Sequence, residues 1–376
     1  MQSIYAFQQC RVSDFHLAVN RIHAYFSPDL NSMERQDREQ LNKNKLEGEQ
    51  IFTAQYAKGT IAFDDGTDTE IKKAVNEALL FYQNALNKDK NHLRKMMVAE
   101  TEKIDDRYLL LLALLPELAH QEKLWLDKKV KNSQNVGSNL TNNRVLQLLQ
   151  HNEPFYNTLN NKKINWSNHQ DDLRQWYREI IRKDEQYLAY IDLAAPTFAD
   201  DRDWLNHLIK QIVFKHEVTI KFLEEHIFNW AEDKEVIKNM VVKTVKGIEE
   251  GQPQSLQLMK LSSNWEDDKI FFENLFTYTL DHDGEFEHMI TTKAKNWDSE
   301  RIATLDKIIL KMALSEMMNF PSIPVKVTIN EYIEISKKYS TPKSRQFING
   351  ILDVLAEELK KSGMIRKSGR GLLDNK

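Results

Sequence analysis

The amino-acid sequence predicts an all-helical protein. Its 376 residues include only 11 Gly and 8 Pro, and strands joined by tight turns would need more of both. Apolar residues recur at spacings of three and four rather than in alternation, which is the helical pattern. At 41% hydrophobic the chain can bury a core, and its length exceeds the usual size of one domain. We therefore predict two helical lobes.

The N-terminal third of the chain predicts amphipathic helices and one core helix. Residues 71–86 carry a one-sided apolar set, namely Val75, Leu79, Tyr82 and Leu86. The sequence DDGTDT at residues 64–69 predicts a turn. The longest apolar run, YLLLLALLPELA at residues 108–119, is too short to span a bilayer, so it predicts a buried helix.

Two polar stretches predict breaks in the helical pattern, at residues 131–143 and 247–254. Between them the helical spacing returns, and its aromatic residues are typical of packing rather than of base stacking. The predicted core of this segment comprises Trp176, Tyr187, Leu188, Ile191, Trp204, Leu208, Ile212, Phe222 and Ile227.

The C-terminal region predicts three helices in succession. Ser299 is a candidate cap for the first, whose apolar face comprises Ile302, Leu305, Ile309, Met312 and Ala313. Pro321 and Pro324 prevent its continuation. Thr328 and Glu331 have capping-box spacing and predict the start of the second helix.

The third predicted helix has the clearest boundaries. Thr341 before Pro342 is a cap followed by a first-turn proline, and Gly363 marks the end. Its predicted buried stripe comprises Phe347, Ile348, Ile351, Leu352, Leu355 and Leu359. Three helices with such short connections predict a compact bundle.

Positive charge is concentrated near the C-terminus. The chain carries a net charge of −4, but residues 295–376 hold 15 Lys or Arg against 10 Asp or Glu. Two clusters there contain no acidic residue: Lys337, Lys338, Lys343 and Arg345, then Lys360, Lys361, Arg366, Lys367 and Arg370. Clustered cations release condensed counterions from a nucleic acid, although a solvated helix face is the simpler alternative.

The same region resembles a known family. Residues 324–334 (PVKVTINEYIE), Lys343, Ser344 and residues 347–353 (FINGILD) are similar to the signature of NusB. The resemblance implies an RNA-binding transcription antitermination factor built as a NusB-like helical bundle of two subdomains. The segment MQSIYAFQQ resembles the end of the family's first helix, so we expect either an upstream start or the loss of the arginine-rich segment that precedes this helix in the family.

The resemblance also implies a division of the chain. Residues 1–130 would form an N-terminal helical region with the first NusB-like helix and an extension, and residues 131–200 a linker and inserted helices. Residues 201–365 would form the NusB-like core, followed by a basic tail at residues 366–376. The long helical insertion resembles the enlarged form seen in Bacteroidetes.

The resemblance places an RNA face at the start of the last helix. Lys343, Ser344 and Arg345 would lie in its first turn and Phe347 one turn on, where backbone donors meet phosphate and an aromatic ring stacks on a base. For Phe347 a plain core position is an equal alternative. Further candidates for RNA contacts are Lys326, Tyr5 and Gln8.

The resemblance also implies partners. The ligand would be single-stranded RNA of the boxA type, bound together with the ribosomal protein NusE and loaded onto elongating RNA polymerase. We expect the partner surface on the predicted helix from Ser299 to Asn319, where Asp306 and Lys307 turn away from the apolar stripe. Compact members of the family can self-associate, so the resemblance also implies a homodimer as an alternative assembly.

No motif predicts catalysis, a cofactor or a metal. His216 and Glu217 begin like a zinc-protease helix, but Ile220 stands where a second histidine is needed. The acidic segment 281–288 contains two histidines six residues apart, a poor spacing for two ligands on a helix. The sequence contains no GxxxxGK, GxSxG or CxxC motif. We therefore predict a non-enzymatic protein that acts by binding.

The sequence predicts a cytoplasmic protein. It contains no apolar segment long enough for a membrane span and no secretory signal, and a single Cys10 suits a reducing compartment. The main alternative function is a helical scaffold without RNA affinity, whose insertion binds another protein. An RNA-modifying enzyme is a third alternative, because NusB-like domains also occur fused to RNA methyltransferases.

Overall fold

The computed structural model describes residues 1–31, 33, 35–129, 138–252, 256–294 and 302–375. Within these ranges every regular element is a helix, apart from one isolated bridge between Glu249 and Gln252. The predicted all-helical class is therefore confirmed. Residues 131–137 and 253–254 of the predicted breaks, and the predicted cap Ser299, lie outside the described residues.

Fifteen α-helices follow one another in the described ranges. The first three are α1 (Gln2–Tyr25), α2 (Arg38–Gln55) and the long α3 (Thr69–Lys129). Seven shorter helices come next: α4 (Arg144–Gln150), α5 (Glu153–Lys162), α6 (Gln170–Glu179), α7 (Glu185–Ile191), α8 (Phe198–His207), α9 (Glu217–His226) and α10 (Trp230–Gly247). The last five are α11 (Trp265–Asp281), α12 (Asp283–Lys293), α13 (Thr304–Asn319), α14 (Val325–Tyr339) and α15 (Pro342–Lys361). None of the helices so described is both long enough and apolar enough to cross a membrane.

Contacts within the chain define two compact units. Unit 1 combines Met1–Val98 with Glu266–Lys376, and unit 2 is Ala99–Trp265. The first boundary falls inside α3, so this helix contributes residues to both units. The division of the chain at residues 130, 200 and 365 rests on the family resemblance and stays a prediction.

Helix α13 is buried on all sides in unit 1. Every residue from Ile308 to Met317 is buried, because α1, α12, α14 and α15 pack around the helix. Apolar side chains occur on every face of this segment, and a helix that is apolar all round belongs in a core. Of the predicted apolar stripe, Ile309, Met312 and Ala313 are buried and Leu305 is partly buried, whereas Ile302 precedes the helix, which begins at Thr304.

A second core in unit 1 joins α1, α2 and the first part of α3. The predicted stripe of α3 lies in it, with Val75, Leu79 and Tyr82 buried and Leu86 partly buried. Gly48 of α2 allows a close approach to α1, because an added Cβ would lie 3.0 Å from Ile22 Cγ2. The one-sided apolar pattern predicted for residues 71–86 is thus confirmed.

A buried lysine joins α13 to α12. Lys311 is 3% exposed, and its Nζ lies 2.5 Å from Asp283 Oδ1 and 2.9 Å from Glu287 Oε2. Arg11 of α1 donates to the second oxygen of Asp283 at 3.0 Å, and Lys307 pairs with Glu287 at 2.8 Å. Burial alone would raise the pKa values of Asp283 and Glu287, but these cations outweigh burial and lower both.

The start of α14 differs from the predicted one. The helix begins at Val325, directly after Pro324, so Thr328 lies inside it rather than at its cap. The hydroxyl of Thr328 is buried and donates to Glu316 Oε1 at 2.8 Å. The predicted capping box is therefore wrong. The physical reason for the earlier start is Pro324, which is the N-cap of α14. Proline has no N–H that would need a partner at a helix start, so the helix begins directly after it.

The residues after α15 fold back on the turn before α14. The Ser368 N–H donates to the Pro321 carbonyl at 2.9 Å, and Lys367 Nζ donates to the Phe320 carbonyl at 2.9 Å. At Gly371 an added Cβ would lie 2.0 Å from the Pro321 oxygen, so this approach requires glycine. The first part of the predicted basic tail, through Gly371, thus packs against the rest of unit 1.

Unit 2 has its own core. Residues 108–119 belong to α3 and most of their side chains are buried, which confirms the predicted core helix. The predicted core residues Trp176, Tyr187, Trp204, Leu208, Ile212 and Ile227 are buried, and Ile191 and Phe222 are partly buried. The prediction for Leu188 is wrong, because Tyr187 and Tyr190 occupy the inward face of α7 and leave Leu188 45% exposed.

Removal of the buried cation is expected to destabilise unit 1. Lys311→Met breaks a buried ion pair from one side, which costs about 3–5 kcal/mol, and urea unfolding of the full chain measures this loss. Lys307→Met is the matched control, because Lys307 pairs with the same Glu287 but its side chain is 28% exposed. We expect the control to lose less than about 1 kcal/mol. Equal losses of unfolding free energy in the two variants would show that the buried Lys311 stabilises unit 1 no more than the more exposed Lys307.

The carboxylates of α12 predict sensitivity to acid. A carboxyl group whose pKa is lower in the folded than in the unfolded state stabilises the fold above its unfolded pKa, and this contribution is lost as pH falls through the folded pKa. The free energy of unfolding should therefore decline below roughly pH 5. Asp283→Asn combined with Glu287→Gln should flatten this decline in urea titrations between neutral and acid pH. If the free energy of unfolding of this variant declined as steeply as that of the wild type, Asp283 and Glu287 would not be the source of the acid sensitivity.

Candidate functional site

The turn between α14 and α15 holds part of the predicted cationic cluster. Thr341 caps α15, and its Oγ1 accepts a hydrogen bond from the Ser344 N–H at 3.1 Å. Pro342 follows in the first turn, as its fixed φ favours. The predicted cap is confirmed, and so is the buried stripe of Phe347, Ile348, Ile351, Leu352, Leu355 and Leu359. The start of α15 is therefore held by its cap and by its core face together.

Two cations in this first turn lack a counter-charge. Lys343 is exposed and Arg345 is half-buried, and neither forms an ion pair with any residue that the structure describes. Lys337, near the end of α14, is instead paired with Glu334. Because the start of α15 also presents the positive end of the helix dipole, this turn favours an anionic ligand.

A cleft of about 530 Å³ adjoins this turn in unit 1. Its lining comes from the starts of α1 and α13 and from the α14–α15 turn, and includes Tyr5, Thr304, Asp306, Ser340, Thr341 and Ser344. Tyr5 is 41% exposed. The fold thus brings together Tyr5 and Ser344, two of the predicted RNA contacts, from opposite ends of the chain.

Asp306 is buried rather than exposed. It is 4% exposed, and its Oδ1 accepts a hydrogen bond from Ser340 Oγ at 2.5 Å. The prediction that Asp306 faces solvent or a partner is wrong, because the α14–α15 turn packs over this side chain and Ser340 supplies its hydrogen bond. Lys307 is half-buried and engaged by Glu287.

The remaining predicted residues do not line the cleft. Phe347 is 6% exposed and belongs to the core of unit 1, so its ring cannot stack on a base while α15 keeps this packing. Lys326 is exposed in the first turn of α14, and Gln8 is half-buried on α1. The packing therefore supports the core alternative for Phe347.

Glu316 is a buried residue whose role the sequence analysis missed. It is 7% exposed and accepts hydrogen bonds from Thr328 Oγ1 at 2.8 Å and from the Tyr332 hydroxyl at 3.1 Å. Burial raises its pKa, although both hydrogen bonds oppose the shift. The spacing of four between Thr328 and Tyr332 was the available signal, because it puts both hydroxyls on one face of α14.

The acidic segment at residues 281–288 forms ion pairs. Asp281 pairs with Lys90, and Asp283 and Glu287 pair with the cations described above. His282 Nδ1 lies 3.0 Å from the Tyr278 carbonyl oxygen. In the described part of the chain, no group of three or more His, Cys, Asp or Glu side chains has an arrangement that could hold a metal.

The fold and the site define an all-helical protein in which a cationic helix start, which favours an anionic ligand, adjoins a cleft. Residues 234–357 match the model of the NusB family. Over this range the chain is similar to the NusB family, and the range includes the signature residues on which the resemblance was based. The matched range includes Asp306, Lys326, Lys343 and Arg345, whereas α1 with Tyr5 lies outside it.

The chain is similar to proteins named transcription antitermination protein NusB. It is 43% identical over 103 residues to that of Salinibacter ruber, covering 27% of this chain and 64% of the relative. For Chloroherpeton thalassium the identity is 42% over 106 residues, covering 28% and 50%. For Thermodesulfovibrio yellowstonii it is 45% over 92 residues, covering 24% and 61%. The chain thus spans between half and two thirds of the length of these relatives, and no solved structure matches it significantly.

Asp306→Lys is expected to destabilise unit 1. The variant buries an ammonium group and removes the acceptor of Ser340, which together cost at least about 3 kcal/mol. Asp306→Asn keeps an acceptor oxygen and should cost only about 1 kcal/mol. Urea unfolding compares the two variants. Wild-type stability of Asp306→Lys would mean that this side chain is exposed in solution.

Proposed function

We propose that this protein is a transcription antitermination factor that binds single-stranded RNA of the boxA type together with the ribosomal protein NusE. The observation that carries the proposal is the NusB-family match, because its range contains Lys343 and Arg345 at the start of α15. The three relatives described above all carry the name of transcription antitermination proteins. The proposed mode of action is binding rather than catalysis.

The RNA is proposed to cross the α14–α15 turn. Its phosphates would meet Lys343, Arg345 and the positive end of the α15 dipole. Tyr5, exposed in the adjoining cleft, is the aromatic ring best placed to stack on an unpaired base. Lys326 and Gln8 are proposed as peripheral contacts, with Phe347 fixing α15 from the core.

The partner is proposed to bind at the open start of α13. Thr304 is exposed and Lys307 half-buried there, whereas Asp306 acts indirectly by holding the α14–α15 turn through Ser340. NusE at this edge would adjoin the RNA turn, so each ligand should strengthen binding of the other. The loaded complex would then join elongating RNA polymerase in the cytoplasm.

Charge reversal in the first turn of α15 is expected to weaken RNA binding. Lys343→Glu combined with Arg345→Glu should reduce the affinity for a labelled boxA-type RNA by at least about tenfold at low salt, because hydrogen bonds to charged groups contribute about 1.5–3 kcal/mol each. Lys360→Glu combined with Lys361→Glu is the matched control, since it makes the same charge change at the other end of α15. Fluorescence anisotropy measures both. Equal losses would mean that net charge rather than this face controls affinity.

The proposed function as a whole is tested by RNA binding with and without purified NusE. We expect tighter binding with NusE and a preference for boxA over a scrambled RNA. If about three to five phosphates are contacted, the logarithm of affinity should fall with the logarithm of salt at a slope of roughly −2 to −3.5. A protein that binds NusE but no RNA would instead be a helical scaffold. Light scattering of the free protein reports whether it forms a homodimer.

A further inference from the structure

Unit 2 contains a second cationic site, outside the range of the family match. A pocket of about 280 Å³ is lined by residues that include Trp125, Lys128, Arg174, Tyr177, Arg178 and Arg182. Four of the lining side chains are cationic and none is a carboxylate. The whole lining precedes residue 234, where the family match begins.

Helix geometry brings these cations to one pocket. Arg174 and Arg178 stand four residues apart on α6, so they leave the same face, and Arg182 follows in the next turn at Ile181–Lys183. Like charges at this spacing weaken a helix, so helix stability does not account for them. Arg174 shares its charge with Asp171 at 2.9 Å. Arg178 and Lys128 form no ion pair within the described ranges.

The aromatic wall of the pocket fixes one guanidinium group. Arg182 Cζ lies 3.8 Å from the centre of the Trp125 ring, a cation–π contact that orders the side chain before a ligand arrives. Tyr177 is 1% exposed, and its hydroxyl lies 3.3 Å from that of Tyr187. With Trp125 covered by Arg182 and Tyr177 buried, the pocket suits an anionic group better than a stacked base.

We propose that this pocket binds a phosphate group of the RNA backbone, as a contact separate from the α14–α15 turn. The identity of the ligand as RNA rests on the proposed function. Guanidinium groups match phosphate oxygens with paired hydrogen bonds, which a cluster of arginines provides better than lysines alone. Phosphate contacts carry no sequence information, so this site strengthens binding to every single-stranded RNA alike.

The test removes two pocket cations from the full chain. Arg174→Gln combined with Arg178→Gln keeps good helix formers at both positions. We expect weaker binding of a long single-stranded RNA, boxA and scrambled alike, and a salt slope shallower by about 1.4, which is roughly 0.7 for each lost contact. Lys183→Gln combined with Lys215→Gln is the matched control, because it removes two cations of unit 2 that do not line the pocket. The control should leave affinity and slope unchanged.

Each outcome separates this site from the one in unit 1. Unchanged affinity and slope in the arginine variant would overturn the pocket, and the proposed function would stand if charge reversal at Lys343 and Arg345 still weakened binding. Loss in the arginine variant alone would support the pocket and overturn the RNA face of unit 1. Calorimetry could detect binding of inorganic phosphate to the pocket while RNA affinity does not depend on the arginines. The ligand would then be a free anion, and the proposal that the pocket binds RNA would be wrong. A wild-type chain that binds no RNA at low salt, either alone or with NusE, would overturn both proposals.

Discussion

The burial of α13 is the constraint on which the rest of unit 1 depends. This helix carries Lys311 and Glu316 into the core, and a buried charge is tolerated only when it is paired or hydrogen-bonded. Carboxylates of α12 satisfy the lysine, and two hydroxyl groups of α14 satisfy the glutamate. Displacing either neighbouring helix would leave a buried charged group without its partner, so these polar contacts specify how α12 and α14 pack on α13.

The candidate site follows from the same packing. The Ser340–Asp306 hydrogen bond joins the α14–α15 turn to the start of α13, and the Thr341 cap fixes the first turn of α15. Lys343 and Arg345 are therefore presented by an ordered helix start rather than by a loose loop. An ordered start loses less conformational freedom when a ligand binds, which favours affinity. The side chain that the sequence suggested as a partner contact, Asp306, instead holds this arrangement together.

Local patterns predicted much of the fold and part of the site. The cap at Thr341 and the apolar stripe of α15 were predictable, because both depend on residues within a few positions of one another. Thr328 was misassigned because the same residue types serve as a helix cap or as a buried hydroxyl donor. Which of these occurs depends on Glu316, which stands on another helix. The prediction that Leu188 is buried was wrong for a similar reason, because neighbouring tyrosines occupy the inward face of this short helix.

The sequence by itself determined the helical class, the start of α15 and the NusB-like signature, because periodicity, capping and motifs are local. Only the tertiary structure decided that Asp306 is buried, that Tyr5 and Ser344 line one cleft, and that the arginines of α6 share a pocket with Trp125. Periodicity reports which faces of a helix are apolar but not which remote segment covers a polar face. The burial of a polar side chain depends on partners far away in the sequence, and folding alone brings them together.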